Sequence, residues 1–492
     1  MPGFHVENFG CRAARADGEA VGDQLRAAGL AEQSPSAADV VVVNTCSVTA
    51  EADRAARSFI RRAHRQNPEA RIVVTGCYAQ RAPEELSVLA GVVAVVGNSH
   101  KALAPRIALD LVWPQAESHA SNSPSPALVG VQSLLTRAGA PGQAAIWADD
   151  RFAHSFLEES QVLPGVQTRP NLKIQEGCGN RCTFCVIPQT RGSSQSLPAS
   201  GILKQVHAFV AAGGNELVLS GINLGRWGRD LPIESGSAKP SLAGLVRRIF
   251  EQTERPRLRL SSIEPMDWDA DLIALTAQFG ESRLARHAHL PLQSGSDAVL
   301  RRMHRRYRPW HYAQKVAALV RAAGPDLTLG ADVMAGFPGE TDCEFEQTVE
   351  FVRALPFGYL HLFPFSPRPG TRAWALHAEA PVPPAVVEDR MAALRALAAE
   401  KTRAHREQFV GRKLEAITLH TPPALARHGR TAALTENFLP IEIDGHLPAN
   451  QLVQVQVAGM NAEMTLEAAI AQADAAQYEA ERISVLPKSV PL

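Results

Sequence analysis

Short apolar runs alternate with amphipathic stretches along residues 1–112. The strand-like runs are FHVENFG, DVVVVNTC, RIVVTGC and VVAVVGN, and apolar positions recur with a helical period in ADRAARSFIRRAHRQ, between two of them. Strands that alternate with helices of this length predict βαβ units around a parallel sheet. We therefore expect a small α/β domain at the N-terminus.

The alternation stops at residues 113–166 and returns on a larger scale at residues 167–380. The first stretch is rich in Pro, Ser, Gln and Ala without a sustained period, which is typical of a linker or an insertion. The second contains six strand-like runs, namely NLKIQ, ELVLSG, RLRLSS, HAHLPL, LTLGADVM and YLHLFPF. Six βα steps predict a partial (β/α)6 barrel, because a complete barrel of this type needs eight.

The C-terminal part of the chain changes character again. Residues 381–407 have the composition of one connecting helix, rich in Ala, Leu and Arg. Residues 408–470 contain KLEAITLH, TAALTENFLPIEID and LVQVQVAG, which are short alternating runs separated by turn residues. This pattern predicts a small β-barrel, followed by a tail at 471–492. The fold class expected for the whole chain is α/β with a small all-β unit at its end.

Composition narrows the class of protein. The chain has 492 residues, 45% of them hydrophobic, and a formal net charge of zero, so any contact with nucleic acid must come from local basic patches. The first twenty residues lack the continuous apolar stretch of a signal peptide, and no run reaches the ~20 residues of a membrane span. We therefore expect a cytoplasmic protein without a membrane partner. Seven cysteines in such a chain point to metal binding or catalysis rather than to disulfides.

The strongest chemical signal is the segment EGCGNRCTFC, which follows the strand-like run NLKIQ. Its thiols, Cys178, Cys182 and Cys185, can bind three corners of a [4Fe-4S] cluster and leave the fourth iron open to a substrate group. The position just after a barrel strand is where active sites of such barrels lie. A structural zinc site is the alternative, although it would normally use a fourth ligand.

Three further cysteines are far apart in the sequence but share one position in the predicted sheet. Cys11, Cys46 and Cys77 each stand at the carboxyl end of a strand-like run. Because ligand crevices of parallel sheets lie at those ends, the three thiols are expected to meet and hold a second cluster with one open iron. Each of them alone would fit an ordinary buried cysteine. Cys343 lacks such companions and is interpreted as structural.

These motifs together resemble the radical-SAM methylthiotransferase family, and the resemblance spans nearly the whole chain. It rests on NTCSVTAEADR and VTGCYAQRAPEEL in the N-terminal part and on CTFCVIPQTRG, LPLQSGSD and DVMAGFPGET in the barrel. It implies an N-terminal cluster domain, a radical-SAM barrel and a C-terminal TRAM domain, with two [4Fe-4S] clusters and S-adenosyl-L-methionine as cofactors. One departure is Ala14, where the family usually has asparagine.

The resemblance also implies residues that bind S-adenosyl-L-methionine. Gln293 and Ser294 would reach its ribose, Asn223 its methionine end, and Gly336 would let the backbone approach the adenine. Glu264, which follows the next strand in SSIEP, is a further candidate. Simple loop caps and polar turns are the competing interpretations of these positions.

Within the family, LSGINLGRWG and YLHLFPFSPRPGTRAW look most similar to the branch that adds a methylthio group to carbon 2 of N6-threonylcarbamoyladenosine beside the tRNA anticodon. The alternatives are isopentenyladenosine in tRNA and an aspartate of a ribosomal protein. A protein that only binds RNA, with structural clusters, is a third interpretation. The expected partners are tRNA and an electron donor such as flavodoxin or ferredoxin. Candidate phosphate contacts in the C-terminal barrel are Arg412, Lys413, Arg427 and Arg430.

Overall fold

The computed structural model describes residues 1–113, 143–152, 168–233, 238–280 and 283–471. Most of the linker predicted at 113–166 and of the tail predicted at 471–492 lies outside these residues. None of the helices in the described ranges combines the length and the apolar composition that a membrane crossing requires.

The N-terminal unit is built around a parallel sheet. In chain order its elements are β1 (Gly3–Asn8), α1 (Arg12–Ala27), β2 (Ala31–Glu32), β3 (Val40–Thr45), α2 (Ala50–Gln66), β4 (Arg71–Gly76), α3 (Cys77–Arg81), α4 (Pro83–Ser87), β5 (Val92–Gly97), α5 (Ala104–Val112) and β6 (Ala145–Trp147).

Six parallel strands form this sheet in the order β2-β1-β3-β4-β5-β6. Strand β3 reads VVVVNT and is buried along its whole length, as expected for a central strand covered by helices on both faces. Helix α2 begins after Thr49, whose hydroxyl accepts a hydrogen bond from the Ala52 N–H, with two acidic residues in its first turn. The predicted α/β domain is confirmed.

Strand β6 corrects the predicted boundary of this domain. Ala145–Trp147 pairs with β5 and completes the N-terminal sheet, although the sequence analysis assigns these residues to the linker. Three residues are too few to show alternation, and the Ala- and Gly-rich neighbourhood hides them.

The middle unit alternates strands and helices on a larger scale. In chain order it contains β7 (Asn171–Glu176), α6 (Ile187–Arg191), β8 (Gln195–Ser196), α7 (Ala199–Ala211), β9 (Glu216–Gly221), α8 (Leu242–Gln252), β10 (Arg257–Leu260), α9 (Ala270–Phe279), β11 (His287–His289), α10 (Asp297–Arg302), α11 (Pro309–Ala323), β12 (Thr328–Ala335), α12 (Asp342–Ala354), β13 (Phe357–Pro364) and α13 (Arg372–Glu379).

Six of these strands form the predicted partial barrel. The order is β10-β9-β7 in one half and β11-β12-β13 in the other, and a parallel bridge between Leu258 and Leu284 joins the two halves. The short strand β8 runs antiparallel at the edge beside β7. Alternate side chains face opposite ways, so Ala288 packs into the apolar core under the helices while His287 and His289 face the interior of the barrel.

The C-terminal unit is a helix followed by a closed barrel of five strands. Its elements are α14 (Pro384–Glu407), β14 (Lys413–Thr418), α15 (Pro423–Arg427), β15 (Arg430–Thr435), β16 (Pro440–Asp444), β17 (Leu452–Met460) and β18 (Leu466–Ile470). The predicted small barrel is confirmed. The single run TAALTENFLPIEID is two strands, because the chain turns at Phe438, which has a positive φ of 69°.

This small barrel covers the amino ends of the strands of the partial barrel. Arg257, the first residue of β10, pairs with Glu415 at 2.5 Å, and Arg286, just before β11, pairs with Glu436 at 2.5 Å. The Nδ2 atom of Asn437 donates to the backbone carbonyl of Asp326 at 3.1 Å. The carboxyl ends of the same strands, where the cysteines lie, are left to the N-terminal unit.

Helix α1 offers a matched test of its packing. An alanine methyl at Gly18 would overlap the Oδ1 atom of Asn8, which is held by Asn44 at 3.0 Å, whereas a methyl at Gly22 would meet nothing closer than 3.7 Å. We expect Gly18→Ala to destabilise the protein by about 1–3 kcal/mol. Gly22→Ala should be neutral or stabilise it by about 0.5–1 kcal/mol. Urea unfolding midpoints measure both, and equal effects of the two substitutions would contradict the packing.

Candidate active site between two cysteine triplets

The first triplet gathers at the carboxyl ends of three neighbouring strands. Cys11 precedes helix α1, Cys46 directly follows β3, and Cys77 opens helix α3 just after β4. Cys46 and Cys77 are buried, and Cys11 is exposed. The structure therefore brings the three residues together as the sequence predicts.

Gly10 makes room for this convergence. It has a φ of +107°, and a methyl group at this position would lie only 2.7 Å from the Sγ atom of Cys46. Burial and the neighbouring Cys77 and Cys11 thiols raise the pKa of Cys46 to about 12. Without a cation, three thiolates this close would repel one another, so the triplet is suited to a metal centre that binds the deprotonated form.

Two side chains that the sequence analysis missed donate to Cys77. The Nδ2 atom of Asn98 lies 3.4 Å from its sulfur, and the Nε atom of Arg191 lies 3.2 Å from it. Arg191 belongs to the partial barrel and ends helix α6. A guanidinium in contact with a sulfur favours its thiolate form, which is the form that binds metal.

The second triplet lies on the loop after β7. Burial, and then the Cys182 and Cys178 thiols, raise the pKa of Cys185 to about 12. The Nδ2 atom of Asn223 lies 3.5 Å from the Cys178 sulfur, and the Nη1 atom of Arg305 lies 3.3 Å from the Cys182 sulfur. Each triplet thus has one buried arginine that donates to a cysteine sulfur.

The spacing of the thiols discriminates between one metal ion and a cluster. Zinc–sulfur bonds of about 2.3 Å would hold tetrahedral thiolates about 3.8 Å apart. Among the described residues, the only three Cys, His, Asp or Glu ligand atoms within 4.8 Å of one another belong to His289, Asp332 and His361. The three sulfurs of neither triplet all lie within that distance of one another. A wider spacing is suited to a group whose metal atoms each take one thiolate, as in an iron–sulfur cluster.

Of the other predicted site residues, Asn223 contacts the second triplet directly and Glu264 is linked to it through Arg305, while Gln293 is distinguished by its backbone and by a buried oxygen. Asn223 is buried, and its Oδ1 atom has no hydrogen-bond partner in the described residues. Gln293 has a φ of +68° and a buried Oε1 atom that also lacks a partner there. Glu264 pairs with Arg305 at 2.6 Å, which links its carboxylate to the Cys182 sulfur.

The other two predicted residues have structural roles that the sequence analysis did not foresee. The hydroxyl of Ser294 is fully buried, 2.9 Å from that of Thr348, and accepts from the Ser296 N–H at 3.1 Å. Gly336 has a φ of +77°, and a methyl there would lie 2.6 Å from Val387 of helix α14. Its close approach is therefore to a helix of the same chain.

A buried ion network joins the two halves of the site. Asp17 and Lys101 come from the N-terminal unit, and Lys173, Glu176 and Arg191 come from the partial barrel. The Nη1 atom of Arg191 donates to Glu176 at 2.7 Å and to Asp17 at 3.0 Å, while Lys173 and Lys101 contact both carboxylates. Because Glu176 lies two residues before Cys178 and Arg191 contacts Cys77, this network fixes one triplet relative to the other.

Cys343, which has no companion cysteines in the sequence, is exposed on α12, where the Nε2 atom of Gln347 lies 3.9 Å from its sulfur. The backbone carbonyl of Ala14 accepts a hydrogen bond from the Nδ2 atom of Asn44. The Asn44 amide also donates to the Oδ1 atom of Asn8 at 3.0 Å, so it ties β3 to β1 and to helix α1.

Half of the basic candidates in the C-terminal barrel are engaged within the protein. Arg412 pairs with Asp326 at 2.7 Å, and Arg430 pairs with Glu467 at 2.6 Å. Lys413 and Arg427 are exposed. These two side chains are the better placed of the four for contact with a phosphate backbone.

Comparisons with known proteins cover both triplets. Residues 3–97 match a family model described as Uncharacterized protein family UPF0004, and residues 172–352 match the Radical SAM superfamily. A Threonylcarbamoyladenosine tRNA methylthiotransferase MtaB of Aquifex aeolicus (strain VF5) is 32% identical over 452 residues, or 92% of this chain and 99% of that protein. Its namesake in Bacillus subtilis (strain 168) is 32% identical over 444 residues, 90% of each chain.

A relative with another substrate in its name is equally similar. The tRNA-2-methylthio-N(6)-dimethylallyladenosine synthase of Erythrobacter litoralis (strain HTCC2594) is 32% identical over 467 residues, covering 93% of this chain and 95% of that protein. Sequence identity alone therefore does not decide which of the two nucleosides is the substrate.

The ion network predicts a large stability difference between two Glu→Gln substitutions. Glu176→Gln leaves Lys101, Lys173 and Arg191 with one buried carboxylate, and we expect a loss of about 3–5 kcal/mol. The control is Glu19→Gln, which removes a partly exposed pair with Arg15 at 3.2 Å and should cost less than about 1 kcal/mol. Guanidinium unfolding at pH 7 measures both, and similar losses would contradict the network.

The same network determines how the stability of the protein changes with pH. Burial alone would raise the pKa of Glu176. Arg191, Lys101 and Lys173 outweigh this effect and hold that pKa well below its usual range. The stabilisation by Glu176 is therefore fully present above the unfolded-state pKa of about 4.3 and is lost as the pH falls toward the lower folded-state value. We expect the wild type to lose more stability between pH 5 and acid than Glu176→Gln does, measured by unfolding midpoints at each pH.

Proposed function

The chain belongs to the radical-SAM methylthiotransferase family, and on that premise we propose that it adds a methylthio group to carbon 2 of N6-threonylcarbamoyladenosine next to the anticodon of tRNA. The observation that carries the proposal is the pair of cysteine triplets, each with converging thiols, which Arg191 links by contacting Cys77 and Glu176. The choice of nucleoside follows the segments LSGINLGRWG and YLHLFPFSPRPGTRAW, which look most similar to this branch, together with the relatives named for it.

The cofactors of the family are two [4Fe-4S] clusters and S-adenosyl-L-methionine, and the donor sets fit them. We assign one cluster to Cys178, Cys182 and Cys185 and the other to Cys11, Cys46 and Cys77. When bound, they supply the reductive cleavage of S-adenosyl-L-methionine and the sulfur that is transferred.

The protein's own side chains would hold these groups in a defined charge state. Arg305 and Arg191 donate to cysteine sulfurs and so favour the thiolates. The amide oxygens of Asn223 and Gln293, which have no partner in the described part of the chain, are suited to accept hydrogen bonds from an amino group or a ribose hydroxyl. Glu264, held by Arg305, adds a carboxylate beside the second triplet. Ser294 and Gly336 would shape the same loops without contacting the ligand through a side chain.

The partners follow from this chemistry. We propose that tRNA is the substrate and that the protein works in the cytoplasm, without a membrane. Reductive cleavage needs an external one-electron donor, for which flavodoxin or ferredoxin is the expected class. Transfer to isopentenyladenosine, or to an aspartate of a ribosomal protein, would use the same cysteines and is distinguished by the product.

Removing each triplet separately tests the division of labour. A Cys11→Ala, Cys46→Ala, Cys77→Ala variant should keep about half the iron and still cleave S-adenosyl-L-methionine, but form no methylthio product. The Cys178→Ala, Cys182→Ala, Cys185→Ala variant should keep about half the iron and do neither. Iron analysis and chromatography of 5′-deoxyadenosine and of the nucleosides measure these outcomes.

The control for this experiment is Cys343→Ala, which removes an exposed cysteine and should leave iron content and both activities unchanged. Methylthio product from the N-terminal triplet variant would refute the sulfur-donor role. Failure of the wild type to form 5′-deoxyadenosine would favour a protein that only binds RNA.

The exposed cations of the C-terminal barrel test the contact with tRNA. A Lys413→Gln, Arg427→Gln variant should bind tRNA more weakly, and the slope of log affinity against log salt should fall by about 0.9 for each phosphate that is no longer neutralised. Filter binding at several salt concentrations measures both. Arg430→Gln is the control, because Arg430 is already paired with Glu467 and should affect barrel stability more than affinity. Equal salt slopes for the wild type and the double variant would contradict this surface.

A further inference from the structure

Arg12, the residue directly after Cys11, carries its guanidinium into the interior of the partial barrel. Its Cζ atom lies 5.5 Å from the ring centroid of Phe438, which the C-terminal barrel inserts at the amino ends of the strands. Arg259 of β10 lies over the same ring, at 5.3 Å. The rings of His287 and Tyr359 also pack on Phe438, with centroids 4.4 and 5.5 Å away. Arg12 thus links the first triplet to the barrel interior.

Among the residues that the structure describes, no side chain makes a hydrogen bond or an ion pair with the Arg12 guanidinium. The carboxylate that attracts it from a distance is Glu216, which is already engaged by Arg257 at 2.8 Å, Arg259 at 2.9 Å and Arg169 at 3.4 Å. Withdrawing a cation from water in this way is unfavourable unless an anion joins it.

The surroundings of Arg12 are electropositive. Burial and the nearby Arg259 lower the pKa of Arg12, although Tyr359 and Glu216 oppose the effect. The Nη1 atom of Arg259 and the Nδ1 atom of His287 are both buried without a hydrogen-bond partner in the described residues. Burial and the same arginines keep the pKa of His287 well below its usual range, so this imidazole stays neutral. Asp332, the carboxylate on the neighbouring strand, is taken up by His289 at 3.1 Å and His361 at 3.3 Å.

We propose that Arg12 binds the threonyl carboxylate of the substrate nucleoside and selects this nucleoside over one with a neutral apolar substituent. The inference rests on the proposed function and names the residue that would read the substrate. A guanidinium presents two parallel N–H donors that match a carboxylate. An isopentenyl group has neither charge nor acceptors, so its entry would leave the partly buried cation uncompensated.

The position of Arg12 next to Cys11 also suits the geometry of the reaction. Carbon 2 of adenine and carbon 6, which bears the substituted nitrogen, flank N1 on the same edge of the purine. A guanidinium that holds the substituent in the barrel interior therefore leaves carbon 2 on the side toward Cys11 and the first triplet. Positioning of this kind is what a substrate-binding arginine adds to a transfer reaction.

The anion that Arg12 binds could instead be a backbone phosphate of tRNA, and the experiment separates the two sources. Anticodon stem-loop RNAs carrying N6-threonylcarbamoyladenosine, its threonyl methyl ester, isopentenyladenosine or plain adenosine are bound to the cluster-loaded full-length protein. The ester keeps the shape of the substituent and removes its charge. The variants are Arg12→Met, Arg12→Lys and the control Arg15→Met, since Arg15 is exposed on the same helix.

We expect the wild type to bind the acid RNA on the order of tenfold more tightly than the ester RNA. Arg12→Met should abolish this ratio without changing affinity for the ester, Arg12→Lys should restore part of it, and Arg15→Met should keep it. Iron content and reductive cleavage of S-adenosyl-L-methionine should stay at wild-type level in all three variants, which shows that Cys11 still holds its ligand.

Two results would overturn the proposal. An acid-to-ester ratio that Arg12→Met leaves intact would mean that another group reads the carboxylate. Equal weakening of all four RNAs by Arg12→Met would identify a phosphate contact. Methylthiolation of the isopentenyladenosine RNA alone by the wild type would instead contradict the proposed function. The experiment therefore distinguishes an error about Arg12 from an error about the substrate.

Discussion

The architecture of the site depends on one buried ion network between the two α/β units. Asp17, Lys101, Lys173, Glu176 and Arg191 are almost completely removed from solvent, and each cation contacts a carboxylate contributed by the other unit. Three cations face two carboxylates, so one positive charge remains in excess. Arg191 also contacts the Cys77 sulfur, which is an anionic thiolate when it binds metal. This thiolate would balance the excess positive charge. Charge balance in a medium of low dielectric constant thus couples domain docking to the state of the first triplet.

The network also explains why the two ends of the partial barrel have different neighbours. It lies where the N-terminal sheet meets the carboxyl side of β7, so both cysteine triplets open toward the same region. The C-terminal barrel occupies the opposite end of the strands, where Phe438 packs on His287 and Tyr359. The amino ends of the barrel strands are therefore covered, and a nucleoside would approach from the side on which the cysteines lie.

Sequence reasoning could predict the features that repeat locally. The strands of both α/β units have strong apolar runs, and the cysteines follow those runs at fixed places, so the parallel sheet, the partial barrel and both triplets were predictable. Strand β6 was missed because three residues show no period. Arg191, Arg305 and Arg12 were missed for a different reason. The groups that they contact lie far away in the sequence, such as Asp17, which is 174 residues from Arg191, and Phe438, over whose ring Arg12 lies, and no local pattern marks such contacts.

The residues predicted to bind S-adenosyl-L-methionine lie in loop motifs, and their side chains differ in whether they are free to contact a ligand. Asn223 and Gln293 keep a buried oxygen without a partner among the described residues, as a ligand contact requires. Ser294 follows Gln293 directly, yet its hydroxyl is satisfied by Thr348 and Ser296. A methyl group at Gly336 would meet Val387 of helix α14. The order of residues in a motif does not reveal which side chain is already occupied, since that depends on a helix elsewhere in the chain.

The most direct test of the central claim is mass spectrometry of the nucleosides of tRNA from cells that lack this protein. We expect 2-methylthio-N6-threonylcarbamoyladenosine to disappear and N6-threonylcarbamoyladenosine to accumulate in its place. Expression of the protein should restore the methylthio nucleoside. Loss of the methylthio form of isopentenyladenosine, with the threonylcarbamoyl nucleosides unchanged, would contradict the central claim.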